Sequence, residues 1–141
     1  MKTRGFVVAF FAVALSVAPQ FVNTSSAADK YSARLISPTA GQVLYPGQQV
    51  RVEWQATFPK TDAGGCEMEV WLSLDGGRTF TMCLTPHVDP HMTYFYWTVP
   101  NTPTNAAVLD IRFGCEFYYP ESYSPQTNSP FVISQATGQL Y

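Results

Sequence analysis

Residues 66–84 read Cys-Glu-Met-Glu-Val-Trp-Leu-Ser-Leu-Asp-Gly-Gly-Arg-Thr-Phe-Thr-Met-Cys-Leu. Met68, Val70, Leu72 and Leu74 share one face of the run before Asp75-Gly76-Gly77, and Phe80, Met82 and Leu84 share one face of the run after it. A period of two gives each run one apolar side, which suits a half-buried strand and not a helix. Glycine supplies the positive φ that a tight turn needs, so the stretch predicts a β-hairpin with a short turn.

The same period recurs along the chain. Residues 33–37 form a short run ended by Pro38 and Gly41, and residues 43–45 are expected to continue it after a kink. Residues 49–58 place Val50, Val52, Trp54, Ala56 and Phe58 on one face. Residues 93–99 place Phe95, Trp97 and Val99 together, with Tyr94 and Tyr96 opposite. Residues 107–115 align Leu109, Ile111, Phe113 and Cys115, and Phe131 with Ile133 mark a last strand. Residues 117–129, rich in Tyr, Pro and Ser, read as a long loop. With no amphipathic helix and no internal repeat, the pattern predicts an all-β protein, an antiparallel two-sheet sandwich of about seven strands with Trp54 and Trp97 in its core.

The chain has 141 residues, which suits one domain. Lys2 and Arg4, an apolar run from Phe6 to Val17 and the small residues Ser25 to Ala28 fit a secretory signal peptide over residues 1–28. The sandwich then occupies 29–135 and a short tail 136–141. The leader's apolar run falls short of the ~20 residues a helical span needs, so no membrane span is expected once it is removed. The expected location is secreted or periplasmic. A net charge of −2 offers no basic patch for nucleic acid.

The order of pieces carries a resemblance. Ser37-Pro38 with Gly41, Pro46-Gly47 with Val50, Val52 and Trp54, Ser73 to Phe80, Trp97 to Pro100, and Phe131 with Ile133 resemble the immunoglobulin-like or fibronectin-type-III-like modules of secreted bacterial proteins. They are also similar to the sandwich domain of fungal cell-wall glucan-assembly proteins. Residues 73–80 are similar to the Asp-box of sialidase-type propellers, a motif in which Asp and Ser or Thr side chains hydrogen-bond the turn backbone. One copy implies a shared turn and no sialidase activity.

The chain has three cysteines, Cys66, Cys83 and Cys115. The immunoglobulin-like topology implies that the strands opening at Cys66 and closing at Cys115 are antiparallel neighbours, and hence a Cys66–Cys115 disulfide. A tight hairpin would set Cys83 opposite Val70 or Glu69, roughly 10–13 Å from Cys66 at strand rise, beyond bridging reach. Cys83 is then the odd thiol.

Two stretches are candidate sites. Aromatics make up 15% of the chain, more than a core needs, and Trp71 has the wrong parity for burial. Trp71, Phe117, Tyr118, Tyr119 and Tyr123 are therefore candidate ligand-binding residues, since tyrosine gives rigid amphipathic contact area. The second stretch holds Cys83, His87, Asp89, His91 and Met92. Its spacing resembles the Cys, His and Met ligand loop of blue-copper proteins, which implies copper or zinc. That loop lies between the last two strands of the family, whereas this one is mid-chain and lacks an earlier histidine. Carboxylates show no pairing by spacing, and no serine sits in a nucleophile elbow, so no enzyme is expected. The expectation is a small exported, non-catalytic binding or structural module without a cofactor, recognising an envelope or extracellular protein or glycan through its aromatic loop. The alternative is an exported copper- or zinc-binding protein.

Overall fold

A computed structural model describes residues 30–60, 65–117 and 119–135. The expected signal peptide, Tyr118 and the expected tail lie outside the described residues. The described residues form β1 (Ser32–Ser37), β2 (Val43–Leu44), β3 (Gln49–Thr57), β4 (Cys66–Ser73), β5 (Met82–Cys83), β6 (Tyr94–Thr98), β7 (Thr104–Cys115), β8 (Tyr119–Ser122) and β9 (Phe131–Ile133), with no helix among them. That is nine strands against the expected seven or so.

The strands make two sheets, a three-stranded one in the order β1-β3-β6 and a six-stranded one in the order β2-β9-β7-β4-β5, with β8 also on β7. All pairings are antiparallel except β2 on β9, which is parallel. Residues 43–45 were expected to prolong β1, but β2 crosses to the larger sheet. Pro38 offers no N–H to continue the ladder. Gly41, at φ 75°, then turns the chain so that its N–H reaches the Pro130 carbonyl at 2.7 Å.

The alternation of the sequence becomes the core. Leu35, Val50, Val52, Trp54 and Trp97 of the smaller sheet pack against Met68, Val70, Leu72, Leu109, Ile111, Phe113, Phe131 and Ile133 of the larger. Trp54 is 1% exposed and Trp97 7%. Rings interlock between the sheets, with Trp97 edge-on to Phe131 at 6.4 Å and Tyr31 stacked on Phe113 at 5.2 Å. Burying a side chain of this size contributes about 1.5–3 kcal/mol. Tyr94 and Tyr96 lie on the outer face of the smaller sheet, as their parity requires, and Arg51 covers the Tyr94 ring at 4.1 Å.

The hairpin after β4 differs from expectation. The pair nearest its turn is Leu72–Met82, followed by Trp71–Cys83, so residues 74–81 form a broad loop and not a tight turn. Side chains build that loop. The buried Ser73 hydroxyl donates to Asp75 at 2.6 Å and accepts from the Gly77 N–H at 2.9 Å. The Asp75 carboxylate accepts from the Arg78 and Thr79 N–H groups and the Thr79 hydroxyl at 3.0, 2.9 and 2.7 Å. These bonds, Ser73's first and Thr79's next, hold the Asp75 carboxyl well below the usual carboxylate range. A depressed folded pKa stabilises above the unfolded value and is lost as pH falls through it. Asp75→Ala is therefore expected to lower the urea midpoint at neutral pH, and the gap from the parent should narrow as pH drops below about 4. Equal gaps at pH 7 and pH 2.5 would show that these bonds add no stability.

Candidate functional site

β4 and β7 run side by side over their whole paired length, with Cys66 opposite Cys115, Glu67 opposite Gly114, Glu69 opposite Arg112 and Trp71 opposite Asp110. The inward residues of this pair fill the core. The outward ones, Glu67, Glu69 and Trp71 on β4 and Arg112 and Gly114 on β7, form an exposed face. β8 pairs with the end of β7, and an irregularity in that pairing brings Glu121 over Gly114. A Cβ on residue 114 would stand 3.3 Å from the Glu121 Cα, so glycine permits the approach. The result is an open groove of about 530 Å³, bounded by Glu67, Glu69, Trp71 and Arg112 on one side and Tyr119, Pro120 and Glu121 on the other.

Arg112 organises the groove. Its Nε donates to Asp110 Oδ2 at 2.8 Å, and Nη1 lies 3.6 Å from Glu121 Oε1. The guanidinium sits over the rings of Trp71 at 4.5 Å and Tyr123 at 4.8 Å, cation–π distances. Asp110 is 1% exposed and also accepts from the Ser124 N–H at 2.8 Å. Burial pushes its carboxyl above the usual range, against the opposing pull of Arg112. Asp110 thus tethers a cation whose charge is largely spent inside the protein. Glu69 accepts from the Trp71 indole N–H at 2.7 Å, which fixes both side chains along the wall. His87 lies at the edge, with Nδ1 2.8 Å from Glu67 and 3.4 Å from Glu69.

The expected aromatic site is partly brought together. Trp71 and Tyr119 line the groove, and Tyr123 flanks Arg112 while donating to Glu121 at 2.9 Å. Tyr119 belongs to a strand and not to the long loop expected at 117–129. Its ring packs on Phe113 and its hydroxyl accepts from the Tyr31 N–H. Phe117 stands apart at 93% exposed, at a left-handed φ of 67° where the chain turns from β7 to β8. That conformation costs a non-glycine residue roughly 1–2 kcal/mol.

The suggested metal loop does not assemble. His91 bonds Asp89 at 2.8 Å, His87 turns to Glu67 and Glu69, and Met92 is exposed. Among the described residues no three of His, Cys, Asp and Glu converge on a metal position. Cys83 is an unbridged thiol that donates to the Thr85 carbonyl, and burial raises its pKa. Strand pairing ends at Cys83, the chain bends over residues 85–87, and Val88 then bonds Met68, so Cys83 turns to the Thr85 carbonyl while His87 is drawn to the β4 glutamates. The Cys66–Cys115 disulfide joins directly opposed residues 49 positions apart.

Sequence reasoning missed Arg112, Glu67, Glu69, Glu121 and Gly114. The outward parity of β4 and β7 marked all but Glu121, and the register between those strands was needed to bring them together. No protein-family model matches the chain, and no curated protein or solved structure matches it either.

Proposed function

We propose that this chain is a small exported, non-catalytic binding module of immunoglobulin-like or fibronectin-type-III-like type, and that its recognition site is the groove over Gly114. The partner is an envelope or extracellular protein or glycan, met in a secreted or periplasmic setting. The observation that carries the reading is the groove itself. Trp71, Tyr119, three glutamates and a tethered arginine surround one concavity on an outer sheet face. Its volume lies within the usual range for ligand sites, and aromatic walls with a few fixed polar groups are what such sites contain. Export is supported by the leader-like N-terminus and agrees with a disulfide. Among the described residues no helix is long and apolar enough to cross a membrane.

The test is a titration of the mature protein against neutral gluco- and chito-oligosaccharides and short charged peptides. Trp71→Ala is expected to weaken saturable binding at least tenfold, by removing one wall and the anchor of Glu69. Tyr96→Ala, on the opposite sheet, should leave it unchanged. Phe117→Gly is expected to hold or raise the melting temperature, because glycine accepts the left-handed backbone. Absence of saturable binding to every probe, or equal binding by Trp71→Ala, would overturn the proposal.

A further inference from the structure

Resting on the groove as the recognition site, we infer that its occupant is a lysine or arginine side chain presented by an extended segment of a partner polypeptide. Three observations point there. The groove walls carry three carboxylates, Glu67, Glu69 and Glu121, and one guanidinium, Arg112. That guanidinium is only 14% exposed and is shared between Asp110 and Glu121, so one fixed cation stands against four carboxylates. Glu67 and Glu121 are each about half exposed, at 49%. The open side of the groove is therefore acidic and complementary to a cation.

The ring faces argue the same way. Arg112 already lies over Trp71 and Tyr123, so those faces are not a vacant platform for a sugar ring. They show instead how this surface accommodates a guanidinium: over an indole, with carboxylates at its edge. An incoming cation would meet Glu67 and Glu69 from β4 and Glu121 from β8. Other ionisable side chains flank it: His87 bonded to the two β4 glutamates, Cys83 opposite Trp71, Tyr119 in the wall and Tyr123 bonded to Glu121.

Tetra-arginine and tetra-lysine peptides are the probes, with tetra-glutamate and a neutral chito-oligosaccharide as controls. Binding to the mature protein is followed by amide chemical shifts. Saturable binding of the cationic peptides is expected, with shifts at residues 67, 69, 114 and 121, and weakening several-fold between about 0.05 and 0.5 M salt. Glu67→Gln/Glu69→Gln should weaken it about tenfold. Glutamine keeps an acceptor for the Trp71 indole, and an unchanged melting curve would verify the fold. Glu121→Gln, which leaves β4 untouched, should weaken it by a smaller factor. Cationic binding unaffected by both variants would overturn the inference, since the peptides would then sit elsewhere. Groove shifts with the neutral sugar and none with the cationic peptides would overturn it while leaving the groove as a binding site. No groove shifts with any probe would remove both.

Discussion

Arg112→Ala is expected to cost about 3–5 kcal/mol at neutral pH, because it strips a buried carboxylate of its partner. Asp110 is 1% exposed, and once Arg112 is removed the Ser124 N–H at 2.8 Å is the hydrogen-bond donor left to it. The sign with pH follows from the burial that already raises the Asp110 carboxyl. Removing Arg112 raises it further. A carboxyl whose folded pKa lies above its unfolded one costs nothing while both states are protonated, and its penalty grows as pH rises from the unfolded to the folded value. The variant should therefore recover toward the parent as pH is lowered. Asp110→Asn in the Arg112→Ala background removes the charge while keeping an acceptor for Ser124, and should restore most of the loss at pH 7. Urea unfolding of the two single variants and the double variant at two pH values measures this. Additive losses and a flat pH response would show that the pair is not coupled.

Replacing Cys66 and Cys115 together by alanine is expected to cost about 4 kcal/mol, from the entropy of a closed loop of ~50 residues. The bridge joins two ends within one sheet, and Glu67–Gly114 is the next pair along the ladder. The loss should thus be global in a denaturant titration and local in hydrogen exchange. Amides of residues 65–68 and 113–116 should exchange faster than those around Leu72 and Leu109, since fraying starts where the clamp was. Uniform acceleration along both strands would argue against that local role.

Trp54, Trp97 and the inward sides of β3, β4 and β7 were legible because strand parity is a local property that a buried face enforces. The Ser73–Asp75–Thr79 bonds were legible as a motif. The width of the loop they build was not, since two glycines in a row suit a short turn as well as a broad one. The groove was less readable. Arg112 looked like an ordinary outward residue until the register set it opposite Glu69 and beside Asp110. Glu121 entered only because the β7–β8 pairing brings it over Gly114, a tertiary step that no period announces. The histidine loop shows the converse: ligand types in a suggestive order, with His87 and His91 each drawn to a different carboxylate.

Alternate residues of β7 serve opposite tasks: Leu109, Ile111 and Phe113 pack into the core, while Arg112 and Gly114 line the groove and Asp110 holds Arg112 in place. Adding or deleting one residue within the strand would exchange the two sets and destroy both. Specificity can therefore drift on β7 only by substitution in place. Changes of length must be absorbed by the turn at 116–117 or the loop at 74–81, where the ladder is already broken.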